Sequence, residues 1–399
     1  DNVVCQIKEL VVQNYNQPSI FYWGLSNEIS ISGETEDIIQ RHKELNEIVK
    51  SMDPTRLTTI ANVSMLDVKS ELCQITDILS YNHYFGWYGG EYTDNEAWFD
   101  DYHKNYPDRA IGFSEYGCEA ILTWHTSNPQ QGDYSEEYQN LYHEHMAKII
   151  WERPYLWATH VWNMFDFAAD ARDEGGCQGR NNKGLVTYDR KTKKDTYYLY
   201  QTYLQGAPVL HITSKRYLKR AEDVTEVKVY STEPEVSLYV NGVLLETKAC
   251  DKVVTFQVKL EKKKTKIKAV AGNMVDNSVI IKVKQPYAGY SHESKGEGVA
   301  NWFGENGEQL SLTYNRDYLC IKDQIKEIMA NPEGAALMDK FMKDMMASMG
   351  GEMAGFKVSP AMMKMVQSFT IERISSMLKD KIPGEIIYKI NEELQKIKK

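Results

Sequence analysis

The sequence predicts an α/β fold followed by an all-β domain and a small all-α C-terminal domain. In the first half, short apolar runs alternate with amphipathic stretches, which is typical of a parallel sheet covered by helices, in either a barrel or a doubly wound fold. Between residues 208 and 285, apolar and polar residues alternate instead, which is typical of a β-sandwich. We place the domains at 1–207, 208–285 and 320–399, with a linker at 286–319.

The first domain begins with a helix in residues 1–15, where apolar residues between Val4 and Val11 recur at helical spacing. The run IFYWGL that follows, from Ile20 to Leu25, is short and apolar, which is typical of a strand buried on both faces. The same reasoning gives the other elements. Strands are predicted at 57–61, 78–81, 110–113 and 160–165, and helices at 35–52 and 136–152.

Five segments of the second domain alternate apolar and polar residues, with turn pairs such as Asn241-Gly242 between them. They are VTEVKVYS, VSLYVNG, VVTFQVKL, TKIKAVAG and SVIIKVK. The linker is rich in Gly, Ser, Glu and Asn. From Ile321 onward apolar residues recur at helical spacing, which predicts a helical domain without indicating its function.

Composition excludes several classes of partner. The net charge of −9 does not favour nucleic acid, because phosphate binding needs a basic surface. No run approaches the roughly eighteen apolar residues of a membrane span. The six cysteines lack C-x-x-C or zinc-type spacing, so we expect scattered thiols of a reducing compartment, with the cytoplasm favoured. We expect no cofactor and identify no metal ligand, while metal dependence and the compartment stay open. The 26 tyrosines and 8 tryptophans suit a carbohydrate ligand, although aromatic residues also fill cores.

The first segment with chemical character is YWGLSNE, which ends in Asn27 and Glu28. An amide and a carboxylate here follow directly on a buried strand. Barrel enzymes place their catalytic groups at such strand ends. The structural alternative is that these polar groups only cap the strand.

A second glutamate, Glu115, follows the apolar strand in the segment IGFSEYG. Two such carboxyl groups meet the needs of a glycosidase, in which one protonates the leaving oxygen and the other attacks the anomeric carbon. In retaining enzymes the two lie about 5 Å apart. A carboxyl group beside a second carboxylate has a raised pKa, which lets one member of the pair stay protonated as the acid.

These segments resemble those of glycoside hydrolase family 2, which is chiefly composed of β-galactosidases, β-glucuronidases and β-mannosidases built on a (β/α)8 TIM barrel. The resemblance implies that Glu28, at the end of the fourth barrel strand, is the acid/base. It implies that Glu115, at the end of the seventh strand, is the nucleophile. It also implies that Asn27 binds the sugar 2-hydroxyl, a contact that strengthens in the transition state.

Two aromatic segments extend the resemblance. The segment NHYFGWY contains Tyr84, which matches the tyrosine that hydrogen-bonds the nucleophile in the family. The alternative is a packed aromatic loop. The segment HVWNMFDF contains Trp162, which matches the tryptophan at the floor of the sugar subsite.

The segment RNNKG bears on which sugar is bound. Asn181 and Lys183 fit the N-x-K pattern that grips the sugar carboxylate in β-glucuronidases, but related β-galactosidases carry similar segments. Charges of both signs lie nearby and leave the sugar open. The charged residues are Asp170, Arg172, Asp173, Glu174 and Arg180.

The resemblance covers residues 1 to about 285, as strands four to eight of a barrel and the immunoglobulin-like sandwich that follows it in bacterial β-galactosidases. One departure is Gln17, where the family has a histidine. We expect the upstream domains and the first three barrel strands to be missing. Since a barrel without three strands has two open edges, we expect this chain alone to be unstable or inactive.

The sequence therefore predicts a bacterial retaining exo-β-glycosidase that hydrolyses terminal β-D-galactosides through a covalent intermediate on Glu115. A β-glucuronidase is the first alternative. A carbohydrate-binding relic without activity is the second, and the presence of both glutamates together with their supporting residues argues against it. The expected partner is a carbohydrate, and a homo-oligomer is compatible with the sequence.

Overall fold

A computed structural model shows the protein as two compact units, residues 1–87 with 91–293 and residues 88–90 with 294–399. Each unit has its own apolar core. The structure describes residues 2–30, 34–204, 206–261, 263–291, 315, 317–348, 369–371 and 384–399.

The first part of the larger unit is a parallel sheet of five strands in sequential order, with helices between them. This order confirms the α/β prediction and is that of part of a TIM barrel. Among the described residues, β1 and β5 each pair with only one strand. The strands are β1 (Tyr22–Asn27), β2 (Leu57–Val63), β3 (Leu79–Asn82), β4 (Ile111–Tyr116) and β5 (Leu156–Val161), and the helices are α1 (Asn2–Asn14), α2 (Glu36–Met52), α3 (Asp94–Asn105), α4 (Glu136–Trp151) and α5 (Asp195–Leu204).

Helix α2 illustrates how the sequence sets these boundaries. Thr35 caps its start, because the hydroxyl oxygen accepts a hydrogen bond from the Ile38 amide at 3.3 Å. The helix ends before Asp53-Pro54, as expected for a residue that precedes proline. Its apolar face, including Leu45, packs in one core with the sheet residue Trp23.

The sheet is curled, so that its first and last strands meet through their side chains. The ring of Tyr22 on β1 lies edge-on to that of Trp157 on β5, with centroids 5.0 Å apart. The Tyr22 hydroxyl lies 3.4 Å from Nε2 of His160, also on β5. The inner face of the sheet is therefore concave, as in a barrel wall.

The last strand of the sheet differs from its prediction. Residues 160–165 were expected to form it, whereas β5 spans Leu156–Val161. Beyond the strand, the backbone pairs with another segment: Asn163 N donates to Lys183 O at 3.1 Å, and Leu185 N donates to Asn163 O at 3.0 Å. The apolar run HVWNMF therefore combines a strand end with a loop. The peptide bond between Trp162 and Asn163 in this loop is cis.

Among the described residues of the rest of the larger unit, the strands β6 to β15 pair antiparallel apart from the short parallel pair β9 with β15. A hairpin of β6 and β7 leads to two sheets, of orders β13-β10-β8 and β12-β11-β14-β15-β9. They share one core, in which Phe256 of the first sheet packs with Leu238 and Ile267 of the second. The immunoglobulin-like type of this sandwich stays a prediction. The strands are β6 (Phe167–Glu174), β7 (Cys177–Asn181), β8 (Leu210–Ile212), β9 (Lys219–Arg220), β10 (Val224–Ser231), β11 (Glu235–Val240), β12 (Val243–Ala249), β13 (Lys252–Lys259), β14 (Lys264–Ala271) and β15 (Met274–Lys282).

The smaller unit is helical where it is described. Its helices α6 (Ile325–Ala330), α7 (Pro332–Ser348) and α8 (Gly384–Leu394) enclose a core that includes Ile321 and Leu394. Much of the predicted linker and of the predicted C-terminal domain lies outside the described residues, so an all-α domain at 320–399 stays a prediction. No helix in the described part of the chain is long and apolar enough to cross a membrane.

Candidate active site

The carboxyl ends of the parallel strands bring three polar side chains together. Glu28 follows β1 directly, Asn82 is the last residue of β3, and Glu115 is the last but one of β4. Asn82 is the register partner of Glu115. Glu28 has a φ of 50°, in the left-handed region that L residues rarely adopt, and such backbone strain is concentrated at functional sites.

The side-chain amide of Asn82 lies beside the carboxylates of both Glu28 and Glu115. Asn82 Nδ2 donates to Asn27 Oδ1 at 2.9 Å and to Glu28 Oε1 at 3.0 Å. Asn82 also lowers the pKa of Glu115, its register partner on the neighbouring strand. The two glutamates named from the sequence therefore lie on either side of a single asparagine, and Asn27 lies beside them.

Tyr84 contacts Glu115, as the resemblance implies. Its hydroxyl donates to Glu115 Oε2 at 2.5 Å. Burial raises the pKa of Glu115, the Tyr84 hydrogen bond opposes that shift, and the charge of Glu28 adds to it. The raised pKa thus falls on the expected nucleophile, and the charges of the two carboxylates interact.

Lys183 lies beside this group. It is completely buried, and its Nζ is 5.6 Å from the centroid of the Tyr84 ring and 5.9 Å from that of Trp87. Its charge lowers the pKa of Glu115. Nζ also donates to Glu119 Oε1 at 3.0 Å, so the ammonium group is held by a buried carboxylate.

Asn181 shapes the loop that carries Lys183. It is buried, and its Oδ1 accepts a hydrogen bond from the Lys183 amide at 3.0 Å. This contact turns the chain tightly between the two residues of the N-x-K pattern. Since Oδ1 is engaged within the loop, the amide nitrogen is the group through which Asn181 would contact a ligand.

Trp162 follows β5 at the same end of the sheet. Its amide donates to Tyr116 O at 2.8 Å, and its half-buried ring lies edge-on to Phe167 with centroids 5.7 Å apart. Gly117 of the SEYG segment lets the backbone of Trp162 pack closely against it, because a Cβ on Gly117 would lie 2.2 Å from Trp162 O. Trp162 thus lies at the strand ends, where a subsite floor is expected.

Several residues of the site were not foreseen from the sequence. Lys194 is buried and donates from Nζ to Ala120 O, Asp166 Oδ1 and Asn182 O, each at 2.8 Å. It therefore ties the loop after the nucleophile to the loop that carries Lys183. Lys194 lies ten residues after the RNNKG segment, and no local pattern in the sequence pointed to it. Asn82 begins the segment that pointed to Tyr84, and its place at a strand end was a usable signal.

The charged residues near the RNNKG segment lie partly within the part of the chain that the structure describes. Arg180 stacks on the ring of Tyr188 at 5.1 Å. The side chains of Asp170, Asp173 and Glu174 lie outside the described residues. Within the described part of the chain, no group of three or more His, Cys, Asp or Glu residues is arranged to hold a metal ion.

Two carboxylates at the ends of parallel strands, beside amide and phenol donors, are arranged as in glycoside hydrolases built on a TIM barrel. The family model for the TIM barrel domain of glycosyl hydrolases family 2 matches residues 1–206, and the chain belongs to this family. A β-glucuronidase of Bacteroides fragilis is 40% identical over 244 residues, which cover 60% of this chain and 34% of that protein. The chain thus spans about a third of the length of this curated relative.

Solved structures agree with the family assignment. An FMN-binding β-glucuronidase from Faecalibacterium prausnitzii L2-6 is 50% identical, with a TM-score of 0.72, over 73% of this chain and 45% of that one. A putative β-galactosidase from Bacteroides fragilis is 33% identical, with a TM-score of 0.66, over 70% and 43%. Bacteroides uniformis β-glucuronidase 2, covalently bound to cyclophellitol-6-carboxylate aziridine, is 32% identical, with a TM-score of 0.65, over 71% and 37%.

Proposed function

We propose that this chain carries the catalytic residues of a retaining β-glucuronidase. The observation that carries the proposal is the buried ammonium group of Lys183, which lies beside Tyr84, the hydrogen-bond donor to Glu115. A buried cation at a sugar site is suited to a sugar that carries a carboxylate, because charge-assisted hydrogen bonds are strong where water is excluded. The names of the relatives from Bacteroides fragilis and Faecalibacterium prausnitzii support the same sugar.

The reaction takes place in two steps. Glu28 donates its proton to the glycosidic oxygen while a Glu115 oxygen forms a bond to the anomeric carbon, and the aglycone leaves as an alcohol. Water then attacks the same carbon, gives a proton to Glu28 and releases Glu115 as a carboxylate. Two inversions leave the configuration of the sugar unchanged, and each step uses only side chains and water.

The supporting residues align these two carboxylates. Tyr84 donates to Glu115 and so favours its ionised, attacking form. Asn82 holds an oxygen of Glu28 at 3.0 Å, which fixes the direction of proton transfer. Asn27 is the donor for the sugar 2-hydroxyl, and Trp162 is the surface on which the ring packs.

The sugar specificity distinguishes this proposal from the β-galactosidase that the sequence first suggested. A galactoside carries a neutral hydroxymethyl group where a glucuronide carries a carboxylate. A buried ammonium group therefore binds the galactoside less strongly than the glucuronide. One solved relative is named a putative β-galactosidase, and it gives the galactoside some support. The names of the other relatives described above favour the glucuronide.

Activity of the complete gene product on nitrophenyl β-D-glucuronide and β-D-galactoside tests the specificity. We expect faster turnover of the glucuronide. Lys183→Ala should lower its kcat/KM by about a hundredfold and lower that for the galactoside far less, since loss of the Lys183 charge raises the pKa of Glu115 for both substrates. Lys191→Ala, at an exposed lysine in a neighbouring turn, is the matched control. Preferential hydrolysis of the galactoside by the unaltered enzyme would refute the glucuronidase proposal.

Covalent labelling tests the nucleophile separately. Cyclophellitol-6-carboxylate aziridine forms a covalent complex with the relative from Bacteroides uniformis. We expect one adduct by intact mass, located at Glu115 by peptide mapping and absent from Glu115→Gln. An enzyme that neither turns over a glycoside nor forms the adduct would be the relic without activity.

A further inference from the structure

Glu119, four residues after the expected nucleophile, is a fully buried carboxylate between two cations. Its Oε1 accepts from Arg172 Nη1 at 2.7 Å and from Lys183 Nζ at 3.0 Å. Its Oε2 accepts from the Asn182 amide at 3.0 Å. Glu119 is thus the shared counter-ion of the lysine expected to bind the sugar and of a partly exposed arginine.

The electrostatics of this cluster keep Glu119 ionised. Burial alone would raise the pKa of Glu119, but the charge of Lys183, the Asn182 amide and the charge of Arg172 outweigh burial and lower it. Among these three side chains two cations face one carboxylate, which favours a ligand that carries negative charge.

We propose that Glu119 is a positioning residue, which holds the Lys183 ammonium group in place and charged and thereby gives the site its preference for an acidic sugar. This inference rests on the proposed β-glucuronidase function. An ammonium group has three hydrogens, so the bond to Glu119 is compatible with a further bond to a ligand. Glu119 acts through Lys183 and not on the reacting atoms.

Other hydrogen bonds join the loops of Glu119 and Lys183, so the role of Glu119 is not merely to hold these loops together. Lys194 Nζ donates to Ala120 O and Asn182 O, and Ala120 N donates to Asn182 O at 3.1 Å. The two loops that carry Glu119 and Lys183 are therefore joined without the Glu119 carboxylate. Its loss should remove one hydrogen-bond partner of the Lys183 ammonium group while the loops keep their course.

Neutralising Glu119 should weaken the binding of a charged sugar and leave the binding of a neutral sugar unchanged. Lys183 and Arg172 would lose their shared counter-ion and repel each other in a site with little water. The ammonium group would move or lose its proton, and a sugar carboxylate would lose its partner. A neutral sugar makes no use of that charge and should be bound as before.

The test compares two probes on the complete gene product. We would measure labelling rates with cyclophellitol-6-carboxylate aziridine and with the uncharged cyclophellitol aziridine, by intact mass. Glu119→Gln should slow labelling by the charged probe about tenfold or more, and change labelling by the neutral probe less than about threefold. Glu119→Asp keeps the charge and should restore much of the difference. Glu71→Gln, at an exposed glutamate paired with Lys43, is the matched control.

The outcomes separate this inference from the function on which it rests. If the unaltered enzyme is not labelled by the charged probe, the glucuronidase proposal fails. If it is labelled, an equal loss with both probes in Glu119→Gln would make Glu119 merely structural. An unchanged rate with the charged probe in Glu119→Gln would remove it from sugar recognition. Should Glu119→Gln not fold, an equal loss with both probes in Glu119→Asp would make Glu119 merely structural.

Discussion

Asn82 donates from its amide nitrogen to Glu28 across 3.0 Å, and the same side chain lowers the pKa of Glu115, its register partner on the next strand. A neutral donor thus lies between two carboxylates that repel each other. Asn82 thus favours negative charge beside both carboxyl groups, which are the two groups that a retaining mechanism needs.

Replacing Asn82 should impair hydrolysis of every glycoside, because Asn82 contacts the carboxylates and not one particular sugar. We expect Asn82→Ala to lower kcat/KM by about a hundredfold on glucuronide and neutral glycosides alike. Asn82→Asp should also raise the pKa of Glu115, since it adds a third carboxylate. Profiles of kcat/KM against pH would show the acid limb at higher pH in Asn82→Asp. Asn105→Asp, at an exposed helix end, is the control, and an unshifted limb would argue against contact with Glu115.

Tyr84→Phe should move the acid limb in the same direction for a different reason. The Tyr84 hydroxyl donates to ionised Glu115 and holds its pKa down against the effect of burial. Without that donor the pKa of Glu115 rises, so the ionised nucleophile is lost at a higher pH as the solution is acidified. Measuring kcat/KM from pH 4 to pH 8 tests this. Tyr155→Phe, which removes an exposed tyrosine donor to Asp100, should leave the profile unchanged.

The sequence predicts the elements of this fold where the signal is local. The alternation in VTEVKVYS predicts β10, which spans Val224–Ser231 as expected. The run HVWNMF misplaces β5 because apolar content does not show where a backbone leaves its sheet. The hairpin of β6 and β7 was not predicted, because its segments contain few apolar residues to form a pattern.

The residues of the site likewise include some that local sequence patterns predict and some that they do not. Glu28 and Glu115 could be found because each directly follows a buried strand, and the fold brings such strand ends together. The role of Glu119 could not, because its partner Lys183 lies 64 residues away along the chain. Charges of both signs near RNNKG left the sugar open in the sequence. The structure shows that Lys183 is buried and paired with Glu119.

Azide rescue should separate the roles of the two glutamates. In Glu28→Ala, substrates with good leaving groups still form the glycosyl intermediate on Glu115. Azide then attacks that intermediate and yields a β-glycosyl azide of retained configuration. In Glu115→Ala, azide replaces the missing nucleophile and yields the α-glycosyl azide. Product configuration by NMR is the measurement, and the reverse pattern would exchange the assigned roles.

Lys194→Met should destabilise the fold, because it removes the partner of a buried carboxylate. Lys194 Nζ lies 2.8 Å from Asp166 Oδ1, and both groups are buried. Loss of one member of a buried ion pair costs about 3–5 kcal/mol, against under about 1 kcal/mol for Lys43→Met in an exposed pair. Urea denaturation of the complete gene product at pH 7 would measure the difference.

The effect of Lys194→Met should also depend on pH, in a direction set by Asp166. Burial already raises the pKa of Asp166, and Lys194 opposes that rise. Without the lysine the folded-state pKa rises further above the unfolded value. A group whose pKa is higher in the folded than in the unfolded state makes its full contribution to the free energy of unfolding below the unfolded-state pKa. That contribution is lost as the pH rises through the folded-state pKa. The deficit of Lys194→Met should therefore shrink between pH 7 and pH 5, whereas a constant deficit would show that the lost contacts to Ala120 O and Asn182 O dominate.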